Sequence, residues 1–173
     1  IDDDAFFVES ARLETTGGQF DDELQFFDNA TALLDGGAVD DDLVAAGSSV
    51  VEIRNFSVGD TVEAEGSSLT TIHDGQFGAV EAAENAVVHV NGGTVEDGVA
   101  GLLGGVVNID GATLAPVDGP EVLANLNGVV NVLGTPSPEL DVEASSGGVI
   151  NVLGGDYESL SANALAATVV LDG

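Results

Sequence analysis

Apolar residues in this chain alternate with polar or small ones in short bursts, and the bursts recur. "AVVHVNGG" from 86, "GVVNIDG" from 105, "GVVNVLG" from 128 and "GVINVLGG" from 148 are variants of one phrase. Each holds two apolar positions separated by one residue. Nine such pairs run along the chain: Leu13/Thr15, Ala32/Leu34, Val51/Ile53, Thr70/Ile72, Val88/Val90, Val107/Ile109, Val130/Val132, Ile150/Val152 and Val169/Leu171. Their second members are separated by 19, 19, 19, 18, 19, 23, 20 and 19 residues. Alternation with period 2, dominated by β-branched residues, predicts a short half-buried strand. Its return at a near-constant interval predicts a stack in which each copy is one layer.

Two further segments fill each interval. A lone apolar residue lies five positions after each pair: Phe20, Val39, Val58, Phe77, Val95, Leu114 and Tyr157, with Ser137 as the exception. Another alternating segment follows, as in Leu24/Phe26, Leu43/Ala45, Val62/Ala64, Val80/Ala82, Val122/Ala124, Leu140/Val142 and Leu160/Ala162. Small residues close the turn at Asn29, Ser48, Ser67, Asn85, Gly104, Asn127 and Gly147. Asn and Gly there suit a left-handed backbone. Three short walls per turn predict an all-β fold, a single-stranded parallel β-helix (β-solenoid) of about nine rungs of ~19 residues, with three short strands per rung. Residues 1–173 form one domain, with rungs beginning near 10, 30, 49, 68, 86, 105, 128 and 148 and partial rungs at both ends.

The pattern resembles the right-handed parallel β-helix family, which includes pectate lyases and many surface adhesins. The resemblance is architectural, covers nearly the whole chain and carries no family signature. A β-sandwich is the competing fold, and the near-constant steps argue against it.

Charge narrows the function classes. The formal net charge is −29, and the only cationic side chains besides two His are Arg12 and Arg54. Such a surface repels a phosphate backbone and anionic lipid, so the expected partners include no nucleic acid. Self-repulsion on this scale points to work in high salt, with divalent cations, or both. At 44% hydrophobic residues the chain still has material for a core. It has no Cys, which excludes disulfides and thiolate metal sites, and no apolar run long enough for membrane insertion. The start, "IDDDAFF", looks processed or excised and favours an extracellular or cell-surface setting.

The acidic residues fall into phase with the rungs. Asp3, Asp22, Asp41 and Asp60 occupy equivalent corner positions, Ala79 interrupts the column and Asp97 restores it. Stacked carboxylates repel one another, and hard oxygen donors in a cluster suit Ca²⁺, so a Ca²⁺ ladder is the sharper expectation. A solvated acidic coat of a salt-adapted protein is the plainer one. Asn108, Asn131 and Asn151 lie between inward pairs in three successive rungs and predict an amide ladder. A carbohydrate strip on that wall would want aromatic platforms. The Thr94/Thr113 column is too broken for an ice-binding face. The longer rung, "LAPVDGPEVLA" at 114–124, is the one obvious insertion and a weak site candidate. His73 and His89 show no metal spacing. Acidic pairs are too common to single out a glycosidase-like couple, and cations for a polyuronate are lacking.

No capping helix is legible at either end. The expected assembly surfaces are therefore the terminal rungs, with Ile1, Phe6 and Phe7 at one end and Val169, Val170 and Leu171 at the other. They would meet a second copy head to tail, or flanking solenoid rungs. The function expected from these observations is a non-catalytic structural subunit of an extracellular filament or surface stalk. The alternative is an adhesin-type segment that binds a glycan or surface. Catalysis comes third, with no catalytic residue and no cofactor beyond Ca²⁺ indicated.

Overall fold

The structure, a computed structural model, describes residues 4–172, and side chains within them except at 135–138, 155–162 and 165. Ile1 and Asp3 lie outside the described residues. The fold is a parallel β-solenoid with no helix among the described residues. Its opening wall is the repeated phrase. Leu13, Ala32, Val51, Thr70, Val88, Val107, Val130, Ile150 and Val169 pair one to the next in unbroken parallel register. Those are eight successive pairings of nine copies, so nine rungs stack over about eight full turns.

The second wall pairs Phe20, Val39, Val58, Phe77, Val95 and Leu114 in the same manner. The strands do not always stop at the corners. Val50–Ala64 runs through all three walls, and Gln76–Ala83 and Thr94–Leu102 each run through two. Hydrogen bonding thus continues around the turn wherever Gly or a bulge lets the backbone bend.

The third wall departs from the sequence reading at its last rungs. Val122 and Ala124 pair with Val142 and Ala144, not with Leu140 and Val142, and these pair onward with residues 162 and 164. A shift of two keeps each side chain on its own face, so alternation alone does not distinguish the registers. Val99, which the sequence reading did not place, completes the column between Val80 and Val122.

The inward side chains make one continuous apolar core. Leu24, Phe26, Leu34, Ile53, Phe56, Ile72, Val90, Ile109 and Val132 are fully buried. Phe56 was not among the expected inward residues; it turns in from the corner between the opening and second walls. Phe7 stacks on Phe26 with ring centroids 5.1 Å apart.

The corner before the opening wall carries its left-handed residue one position earlier than expected. It falls on Glu9, Asp28, Gly47, Gly66, Glu84, Leu103, Leu126, Ser146 and Ala166, not on Asn29, Ser48, Ser67 or Asn85. In the later rungs a second positive φ follows, at Gly104, Asn127 and Gly147. The turn closes with a bond such as Ala30 N–H to Phe27 C=O, which places the positive φ at its first central residue and, in later rungs, at both.

The switch in turn type selects the next residue. After one left-handed position stand Ala30, Ser49, Ser68 and Ala86, and after two stand Gly105, Gly128 and Gly148. A Cβ on Gly128 would lie 1.9 Å from the Gly101 carbonyl oxygen in the rung beneath. Only glycine permits that approach.

Candidate functional site

The acidic corner lies between the second and third walls. Carboxylate oxygens of Asp41, Asp42 and Asp60 come within 4.8 Å of one another. Backbone holds them there: Thr61 N–H donates to Asp42 Oδ1 at 2.8 Å, and Asp60 N–H donates to the Asp41 carbonyl at 3.3 Å. Asp42 first, then burial, Asp60, Asp22 and Asp4 raise the Asp41 carboxyl above its ordinary value. Asp22 and Asp60, one rung to either side, are therefore each near enough to act on Asp41. Asp42, which is not among the residues expected at this corner from the sequence, completes the cluster. Its signal was its place just before the third wall, where a half-buried carboxylate reaches the next rung's backbone.

Asp97 is separate from this cluster. Thr61 pairs with Ala79, and Ala79 with Gly98, so Ala79 belongs to the wall and not to the acid column. The gap in the column is Gly78, because that corner is one residue shorter than its neighbours. A Cβ at Gly78 would meet the Asp60 carbonyl oxygen at 2.4 Å. Asp97 instead borders a shallow depression with Glu81, Ala100 and Pro120.

Acidity continues onto the outer third wall, where Glu63 pairs directly with Glu81. Burial is the first cause raising both carboxyls. Asp42 adds to both, and Glu81, Glu65 and Glu23 add to Glu63. The corner offers several oxygens that a single hard cation would accept.

The outer opening wall holds a different chemistry. Asn131 Nδ2 donates to Asn108 Oδ1 at 2.8 Å, and Asn151 Nδ2 donates to Asn131 Oδ1 at 2.7 Å. His89 pairs in register with Asn108, and Thr71 with His89. An ion cluster stands at the same wall's earlier rungs. Arg54 Nε and His73 Nε2 contact Glu52 Oε1 at 2.9 and 3.1 Å. The Arg54 hydrogen bond is the main reason the Glu52 carboxyl is held below its usual value. All three side chains are substantially exposed, so the cluster adds little stability. Arg12 pairs similarly with Glu14. His73 and His89 stand in different columns.

The insertion at 114–124 lies between Thr113–Leu114 of the second wall and Val122–Asn125 of the third. Its Glu121 is only 3% exposed. Glu121 accepts the Asp141 N–H at 2.6 Å and the Val117 N–H at 3.3 Å, so it ties the bulge to the next rung. Sequence reasoning missed this role, and the only signal was an acidic residue directly preceding an inward apolar position. Thr94 and Thr113 pair in register. A surface groove at the neighbouring corner is lined by Asn55, Ser57, Asp74, Gly75, Gln76 and Thr94.

At the terminal rungs, inward residues lose their cover. Phe7, Leu13 and Val169 pack on the core yet are only half-buried. Phe6, Val170 and Leu171 are exposed. No protein-family model matches the chain, and no curated protein and no solved structure matches it.

Proposed function

We propose that this chain is a non-catalytic structural β-solenoid of an extracellular filament or surface stalk, extended by strand addition at its terminal rungs. The supporting observation is the pair of terminal rungs. Ala5–Phe7 and Arg12–Thr15 pair with strands on one side only, as does Thr168–Leu171, among the described residues. Each such strand leaves a row of N–H and C=O groups open to a further strand, beside apolar side chains that a further rung would bury. That rung comes from a second copy joined head to tail or from solenoid flanking this segment. Head-to-tail joining does not close on itself and so yields a filament.

In this reading the lysine-free acidic coat suits an extracellular or cell-surface setting of high ionic strength and limits sideways aggregation. Ca²⁺ at Asp22, Asp41, Asp42 and Asp60 would relieve the like-charge stacking of the early rungs. A second reading, an adhesin-type segment that binds a glycan, rests on the polar groove around Asn55, Ser57 and Gln76. Negative-stain electron microscopy in low and high salt, with and without Ca²⁺, separates the two. Filaments of constant width support the structural reading. Isolated short rods under every condition rule out head-to-tail joining of copies and leave only flanking solenoid as the source of the further rung. They also bring the glycan reading to the front, to be tested by retention on immobilised polysaccharides.

A further inference from the structure

The opening wall has a second outward column, in addition to its amides. Leu69, Val87, Val106, Val129 and Val149 pair in continuous register, one residue out of phase with the buried set. They point off the wall and are half-buried or exposed. The doublets "VV" and "VI" of the repeated phrase are their sequence trace. Leu103 and Leu126 at the corner before this wall, and Leu133 and Leu153 at the corner after it, are 43–56% exposed. From Leu69 to Asn151 no outward position of this wall is Asp, Glu or Arg. That is a neutral face on a chain of net charge −29, framed by leucines in its later rungs and by Glu84 and Asp110 at the equivalent corner positions of earlier ones. The second wall's Gln76, Thr94 and Thr113 are also neutral, but their column is one residue wide. Asp74 and Asp110 flank it on one side, Glu96 and Asp97 on the other.

We infer that this wall is the lateral contact between two copies of the chain, packed face to face with their long axes antiparallel. Three observations commit the face to a second copy. First, electrostatics: two bodies this acidic approach closely only where both present a surface without carboxylates, and this wall is such a surface. Second, the face is complementary to itself. A two-fold axis lying across the rods at the Val106 rung sets the apolar column on itself and the polar column on itself, an isologous contact. Asn108 then faces Asn108, His89 faces Asn131 and Thr71 faces Asn151. Each Asn keeps a second N–H and further lone-pair capacity beyond its ladder bonds, so facing amides can pair without breaking the ladder. Third, size: five rungs at ~4.8 Å, by about 20 Å from corner to corner, give roughly 500 Å² per copy and about 1,000 Å² in all. That lies at the lower edge of specific interfaces and gives a reversible dimer. Salt strengthens it, because screening removes the repulsion between the acidic flanks while the apolar contact persists.

Sedimentation equilibrium of the intact chain, from low to molar salt, reads the association, and small-angle scattering reads its geometry. The expected result is a monomer–dimer equilibrium that tightens with salt, with dimers that are wider but not longer than the monomer. V106E and V129E, checked for folding by circular dichroism, should each weaken dimerisation about tenfold or more. The near-isosteric V106T/V129T variant guards against misfolding and should weaken it less. A monomeric mass at every salt concentration overturns the inference, as does association indifferent to V106E and V129E. Particles doubled in length rather than width also overturn it, while supporting end-to-end stacking.

Discussion

Asn131 donates an amide N–H to Asn108 Oδ1 at 2.8 Å, although 23 residues separate them in the chain. The four extra residues of that interval are accommodated in the bulge before Val122, so the opening wall keeps its register. Asn131 is the central member of the ladder and also accepts from Asn151. N131A removes two half-buried hydrogen bonds and should cost about 1–2 kcal/mol in urea unfolding. N151A removes only one and should cost about half as much. Equal costs would mean that the amides bond mainly to solvent.

Thr70 sits in an inward column between Val51 and Val88. Its hydroxyl is buried without a hydrogen-bond partner, as are those of Ser49 and Ser68. T70V keeps the shape and removes the desolvated oxygen, so it should raise stability by about 1–2 kcal/mol. A drop in melting temperature would indicate that the hydroxyl has a partner, such as a buried water.

The turn before the opening wall makes Gly128 irreplaceable in a way that Ala86, at the equivalent position, is not. G128A would press a methyl group onto the Gly101 carbonyl and should cost about 3 kcal/mol or more. A86G loses only a small buried methyl group and some backbone restriction, about 1–2 kcal/mol. Denaturant titrations of the two variants test the ordering.

Glu63 and Glu81 give stability a pH slope. Their folded pKa values stand above the ordinary glutamate value, burial being the first cause and Asp42 adding to both. Such groups bind protons more tightly in the folded state, so their favourable contribution is present below the unfolded value. It is lost as pH rises through the folded value. Melting temperature should therefore rise as pH is lowered from neutrality toward that range. E81Q should melt higher than wild type at neutral pH and show a shallower slope, and calorimetry across this interval would detect either failure.

The sequence by itself determined the solenoid, its three walls and the in-register columns of the opening wall. Those properties follow from local alternation and from a repeat interval that any reader of the chain can measure. It also placed Asn108, Asn131 and Asn151 in one outward column, and Asp22, Asp41 and Asp60 at one corner. The tertiary structure alone decided what depends on contacts between rungs. Val142 rather than Leu140 lies opposite Val122, because a two-residue slip preserves the face and only backbone pairing tells the registers apart. Gly78, not Ala79, breaks the acid column, because one residue is missing at that corner. Asp42 joins Asp41 and Asp60, and Glu121 is buried, because each carboxylate meets backbone N–H groups of the following rung. Alternation is written along the chain, whereas a carboxylate's partners are set about twenty residues away, by how the corners beneath and above it bend.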